Sequence, residues 1–571
     1  MQVEGLAAVI EAGALEAARQ IEGRAGGILH GLAPRRGRAR PGRRAAAGMI
    51  ARAGRVGEPD PRRVGSQGID RGMDAYRSLA EGFGRIAALE GAAGILDWDS
   101  RTQMPDGAAE GRADQLAALQ GLIHDLLTAP ALDEELARAE EEPLDPGARA
   151  NLREMRRVRR HAAAVPRDLV EANARAVMRA EMVWREARAR SDFALLAPHL
   201  AEVLRLQREI GAAKGAALGL SPYDALLDAY DPGLRRGLIE PLFAELRAVL
   251  PGLIEAVRAR QAAAPPALPL PGPFPVETQR AVGLALMGAA GFDFRRGRLD
   301  VSLHPFCGGA ADDVRITTRY DERDVMRALM GVLHETGHAL YEQGRPAAWR
   351  GQPAGQARGM SLHESQSLII EMQAGRSPEF LSFLAPLLGR HFAGEGPAWS
   401  AANLTRLATA VSPGLIRVDA DEVTYPAHIL LRTELEIAMI AGDLAVADLP
   451  EAFAAGMRDL LGLAVPNDAL GCLQDIHWPG GSFGYFPTYT LGAMMAAQLF
   501  AAACAAEPGI RPGLARGDFA PLVGWLRRHV HERASLLDTQ DLLVAATGQP
   551  LSSAPFLGHL RQRYLGEADA G

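Results

Sequence analysis

The chain almost lacks lysine. Lys214 is the single one, so the 62 basic residues are otherwise all arginine, in a sequence also rich in alanine and glycine. That pattern reads as a coding bias, and it removes from arginine runs much of the weight they would carry as nucleic-acid signals. Cysteine is scarce as well. Cys307, Cys472 and Cys504 are odd in number and far apart, which excludes a disulfide framework and points to a reducing, cytoplasmic compartment. No uninterrupted apolar run of eighteen residues suggests a membrane span. Glu4, Glu11 and Glu16 break up the first eighteen positions, so no secretory h-region is expected. A net charge of −7 and a pI near 6.1 give no general attraction to nucleic acid or anionic membrane, and neither is expected as a partner.

What is present is core material and helical periodicity. With 48% hydrophobic residues in 571, the chain can build a sizeable core as one large unit or several. Residues 1–72 stand apart: a short amphipathic stretch, then arginine, proline and glycine through 33–65. This segment reads as a disordered extension or an upstream start, with Met73 a natural alternative, against the sharper reading of a basic arm. From 73 onward a single catalytic domain is predicted. Apolar residues recur at three and four spacings over 79–96 and 111–127, and over a long charged stretch, 152–213, with breaks expected at Pro166 and Pro198. An Ala- and Pro-rich connection over 262–275 leads to a helix over 276–288. Strands are predicted over 299–303 and 314–320, separated by a Gly-Gly-Ala-Ala-Asp-Asp turn, and an exposed edge there could pair with a peptide backbone.

Directly after the strands stands His334-Glu335-Thr336-Gly337-His338 on an apolar, helix-compatible background. The two histidines lie one helical turn apart on one face, so both imidazoles can reach one metal ion, and neutral nitrogens at that spacing suit zinc. Glu335 is offset round the helix, where it can touch a water at the ion rather than the ion itself. Roughly 0.02 such matches are expected by chance in a chain of this length and composition, so context decides. Glu342 lies about 12 Å of helical rise beyond His334 and cannot share an ion with bonds of about 2 Å. The third ligand must come from another element. Glu364, at the start of a helical stretch running to Gly375, is the best candidate, with His363 its rival.

Several ordered blocks accompany this motif. Trp98-Asp99, Thr102, Met104-Pro105 and 223–227 precede it; His304-Pro305-Phe306 and Asp313-Val314-Arg315-Ile316-Thr317 (DxRxT) lead into it. His363-Glu364-Ser365-Gln366-Ser367, 416–421 (IRxxAD) and 471–478 (GxxQDxHW) follow. Together they resemble the carboxypeptidase Taq family of zinc metallocarboxypeptidases, over roughly residues 73 to 565. The run 368–373 departs from the family's more aromatic stretch.

The resemblance implies a mainly α fold with a deep central cleft and one small sheet beside the metal helix, like the helical peptidases neurolysin and angiotensin-converting enzyme, in a homodimer. It implies removal of single residues from peptide C-termini with broad tolerance, and one zinc ion, or cobalt or manganese, on His334, His338 and Glu364. Glu335 would be the general base. His477, Tyr485 and Tyr489 would donate to the oxyanion from an irregular loop, 478–489, that holds five aromatic residues in twelve positions. His363, Gln366 and Asp475 would orient the metal ligands. A fixed cation is needed for the terminal carboxylate: Arg417 first, then Arg315 or Arg432. An internally cutting oligopeptidase and a non-enzymatic zinc-binding protein are the competing readings. The intact Glu335 argues against the second, since a structural site has no use for it.

Overall fold

The computed structural model describes residues 74–567; the extension predicted over 1–72 lies outside them. The first helix, Asp74–Thr102, buries Leu79, Phe83 and Ile86 along one face. It packs with Ala109–Thr128, Ala131–Glu140 and Pro146–Ala163 around a core of its own that includes Leu127, Leu136, Leu152 and Met155. The last of these helices starts as its sequence dictates: Asp145 accepts from the Ala148 amide, and Pro146 occupies the first turn.

Pro166 does precede a new helix, Arg167–Arg190. Pro198, however, lies inside Phe193–Leu218, early enough that only the Ala194 carbonyl loses its helical partner. The break falls instead at Ser191, which takes a left-handed conformation (φ 53°) and ends the preceding helix.

The sheet has three strands, not two. β1 (Gly297–Val301) runs parallel to β3 (Asp313–Thr318), and β2 (Cys307–Ala310) lies antiparallel on the other side of β3, with Gly297 opposite Val314 and Cys307 opposite Ile316. The glycines predicted to be a turn form β2, and the turn shrinks to Ala311 and Asp312, the latter at φ 64°. Leu299, Val314 and Ile316 pack on Val332 and Ala339 of the helix Val325–Gly344, which fixes the sheet to the metal motif. A Cβ on Gly94 would stand 2.4 Å from the Gly309 carbonyl oxygen. The first helix therefore covers that part of the edge strand, leaving it unavailable to a substrate backbone.

Of the later helices, Met360–Leu368, Tyr425–Ala441, Ala520–His529, Thr539–Thr547 and Ala554–Leu560 pack round Pro487–Ala506. That last helix is, by length and composition, apolar enough to cross a membrane, although Thr488, Thr490 and Gln498 interrupt its apolar run. Its composition follows from its place, since Leu491, Met494, Met495 and Leu499 are fully buried in the main core. A helix packed all round needs no polar face.

Candidate active site

Three helices must come unusually close to build the metal site. Val325–Gly344 carries His334 and His338, and Met360–Leu368 carries Glu364, continuing as a π-helix over Ile369–Gly375. A Cβ on Gly337 would meet the Gln366 carbonyl oxygen at 2.4 Å, and one on Gly492 would meet Glu364 Cβ at 2.8 Å. Only glycine at both positions lets the Glu364 helix be held between its two neighbours.

The result is a compact donor set. His334, His338 and Glu364 bring one ligand atom each to within 4.8 Å of one another. Glu364 Oε2 lies 3.4 Å from His338 Nε2 and 3.8 Å from His334 Nε2; a tetrahedral ion with bonds of about 2.0–2.1 Å wants its ligand atoms about 3.3 Å apart. Both rings are held from behind. His334 Nδ1 is 3.0 Å from Glu371 Oε2, and His338 Nδ1 is 3.1 Å from the His363 carbonyl oxygen. These bonds leave both Nε2 atoms facing Glu364, as metal-binding imidazoles require. Burial disfavours a charged His334, yet Glu364 and Glu371 raise it to about 10. The site is built to hold positive charge, and two neutral nitrogens with a carboxylate suit a divalent cation.

His363 does not compete with Glu364. Its Nδ1 lies 2.7 Å from His338 Nδ1 and its Nε2 2.9 Å from Glu342 Oε1, which places it behind His338, away from Glu364. Gln366 bonds His531 and Ser365, and Asp475 bonds two arginines, so neither orients a metal ligand as the sequence suggested. Glu335 is buried beside the donor set. Burial, opposed by His334 and reinforced by Glu364, pushes its carboxyl up to about 7, the range in which a group can take and return a proton near neutral pH.

The facing wall is the loop before Pro487–Ala506. His477 Nε2 is 3.2 Å from the Tyr489 hydroxyl, and the Tyr485 and Tyr489 rings pack edge to face at 5.3 Å. Burial raises both phenols, with the Glu364 carboxylate adding to the effect, so both keep their O–H as donors. Burial and the nearby Arg417 push His477 down to about 4, leaving a neutral imidazole. Arg417 donates to Asp475 through Nε and Nη2 and to the Tyr425 hydroxyl through Nη1, and its guanidinium lies 5.2 Å from the Tyr489 ring. Arg432 donates to the other oxygen of Asp475 and to the His428 carbonyl, and is fully buried. Two cations thus share one carboxylate, leaving a surplus positive charge with Arg417 nearer the tyrosines. Arg315 belongs elsewhere: it pairs with Asp313 and stacks 4.6 Å from the Trp98 ring.

Sequence reasoning missed the supports. Glu371, seven residues after Glu364 and so two turns along one helical face, braces His334 and is itself held by Arg376 at 2.6 Å; that spacing was the available signal. Glu436 had none. Its buried carboxyl accepts from the Tyr223 hydroxyl at 2.6 Å, from Trp478 Nε1 at 3.3 Å and from the Gly484 amide, tying the loop to a helix more than two hundred residues earlier. A cavity of about 1000 Å³ lies behind His363, bounded also by Tyr230, Cys307, Gly308 and Glu342, and none of the three ligand residues lines it.

Comparison with known proteins agrees with this geometry. The thermostable carboxypeptidase 1 of Thermus thermophilus is 42% identical over 502 residues, covering 86% of this chain and 98% of the relative. The structure of Trypanosoma cruzi metallocarboxypeptidase 1 superposes with a TM-score of 0.84 at 41% identity, covering 86% and 99% of the two chains. That of an M32 carboxypeptidase from Deinococcus radiodurans R1 gives 0.81 at 37%, covering 86% and 98%. Residues 78–564 match the carboxypeptidase Taq (M32) metallopeptidase family, and the chain therefore belongs to that family as a metallocarboxypeptidase.

Proposed function

We propose that the enzyme is a zinc carboxypeptidase that removes one residue at a time from peptide C-termini, with His334, His338 and Glu364 as ligands. The observation that carries this reading is the pairing of that donor set with the surplus positive charge of Arg417 on the facing wall. Zinc bound there supplies Lewis-acid polarisation of the scissile carbonyl and acidifies the attacking water. Glu335 takes the water's proton and delivers it to the leaving amine. Tyr485, Tyr489 and His477 face the developing oxyanion as preorganised donors. Arg417, held in its fork by Asp475 with Arg432 behind, receives the terminal carboxylate. Recognition then rests on a group every peptide end shares, from which broad tolerance of the terminal side chain follows.

The test is to incubate the protein with a free-acid peptide and its amide, with and without chelator, and to identify products by mass. Stepwise single-residue release from the acid, with only residual cleavage of the amide, abolished by chelator and restored best by zinc, is the expected result. Internal cuts in both substrates would favour the oligopeptidase reading, and better restoration by cobalt or manganese would change the metal. Varying the terminal residue measures the tolerance. We also propose a cytoplasmic homodimer, consistent with the free cysteines and the family resemblance and measurable for its mass by light scattering. A chain starting at Met73 is expected to retain full activity, since the family match begins at residue 78.

A further inference from the structure

Behind the active-site loop lies a second pocket, of about 390 Å³, between the helices Arg167–Arg190 and Phe193–Leu218 and the segment Gly480 to Phe483. Its polar lining includes Lys214, His161, Asn173 and Gln207, and Val165 and Ile210 are among its apolar walls. Lys214 is the only lysine in the chain. Among the described residues its ammonium makes no hydrogen bond or ion pair, and Asp228, the acid that acts on it, is already engaged. One oxygen of Asp228 accepts from the Gly233 amide and Arg235, and the other lies 2.8 Å from His161 Nε2. His161 Nδ1 is buried without a partner. Unlike His161 Nδ1, the half-buried Lys214 nitrogen is reached by solvent, so water meets it until a carboxylate entering the pocket replaces that water with a charge-assisted hydrogen bond.

We propose that this pocket is a second binding site, distinct from the metal centre, for a small carboxylic acid with an apolar body. The carboxylate would meet Lys214 while the hydrocarbon lies against Val165 and Ile210. Tyr230 lines both this pocket and the larger cavity behind His363, and its ring packs edge to face on Tyr485 at 5.1 Å, so occupancy is expected to reach the active-site wall through that ring.

A single lysine makes the test specific. Reductive methylation with ¹³C-formaldehyde labels the Lys214 side chain and the α-amino group and keeps their charges, and the Lys214 resonance is the one missing from Lys214→Met. The expected result in the full-length, metal-loaded protein is a saturable shift of the Lys214 methyl resonance with N-acetyl-leucine and none with N-acetyl-leucine amide. Calorimetry with N-acetyl-leucine should then show one site fewer in Lys214→Met than in the unlabelled wild type, with any binding at the metal centre retained. No shift, an equal shift with the amide, a shift produced only by long peptides, or unchanged stoichiometry in Lys214→Met would each overturn the proposal.

Discussion

The two walls of the active site are assembled by different means. The metal wall is made of helices whose ligands sit at fixed helical spacings, locked by glycine contacts at Gly337 and Gly492. The opposite wall is irregular backbone held by bonds between distant segments: Arg417 to Asp475, Trp478 and Tyr223 to Glu436. A helical wall places atoms by local geometry, whereas a loop wall depends on the rest of the molecule already being folded. Damage to the first should remove the chemistry, and damage to the second should degrade recognition and transition-state binding while leaving the metal in place.

The largest effects test that division directly. His334→Ala, His338→Ala and Glu364→Ala should each lose most bound metal, measured by elemental analysis, and with it all measurable turnover. Glu335→Gln should keep full metal and lose about 10²–10⁴ in kcat, the range for a general base. Full metal and activity in Glu364→Ala would show that the third ligand has been misassigned.

Next comes the packing that supports the ligands. Gly337→Ala forces a Cβ to 2.4 Å from the Gln366 carbonyl and should lose about 1–3 kcal/mol of stability together with metal affinity. Gly331, in the same helix, has nothing within 4 Å of its Cβ position, so Gly331→Ala should be neutral or stabilise by up to about 1 kcal/mol. Equal responses at the two glycines in thermal unfolding would mean that helix propensity, not close approach, explains Gly337. Glu371→Gln should weaken metal binding about 10- to 100-fold by loosening His334.

These contrasts also explain what was legible in the sequence. His334, Glu335 and His338 could be read because a helix turns spacing into geometry, and the third ligand could be narrowed to Glu364 or His363 at the start of the return helix. The choice between Glu364 and His363 could not be made from spacing, since it depends on which face of Met360–Leu368 meets the histidines, and that is set by Gly337 and Gly492. Strand β2 was hidden because its glycines read as a turn, and only pairing with β3 makes them a strand. On the loop wall, residue types were visible but partners were not. Asp475 looked like a support for the metal and instead holds Arg417 and Arg432; Glu436 carried no motif at all.

The loop wall is probed more gently by Arg417→Lys. A lysine keeps the charge but loses the fork that engages Asp475 and Tyr425 together. It should keep the metal and lose about 1.5–3 kcal/mol of transition-state binding in kcat/KM for free-acid peptides, with little change in residual cleavage of amides. An equal loss on both substrates would make Arg417 scaffold and leave the terminal carboxylate to another donor, since Arg432 is enclosed and Arg315 belongs to the Asp313–Trp98 cluster.

The last effect concerns Glu436 and is one of stability against pH. Burial, opposed by hydrogen bonds from Tyr223, Trp478 and Gly484, pushes its carboxyl from an ordinary 4.5 up to about 8. The folded protein therefore holds this proton over a pH range in which the unfolded chain has released it. Where the native state binds more protons, stability falls as pH rises. The contribution is fully present below about 4.5 and is lost as pH climbs through about 8. Glu436→Gln keeps the shape and removes the titration, so its melting temperature relative to wild type should rise steadily between pH 5 and pH 8, with metal content unchanged throughout. A constant difference across that range would mean that Glu436 is ionised in the fold, its three donors outweighing burial. The loop would then be anchored by a buried charge, and Glu436→Gln should instead be the less stable protein at every pH above 5.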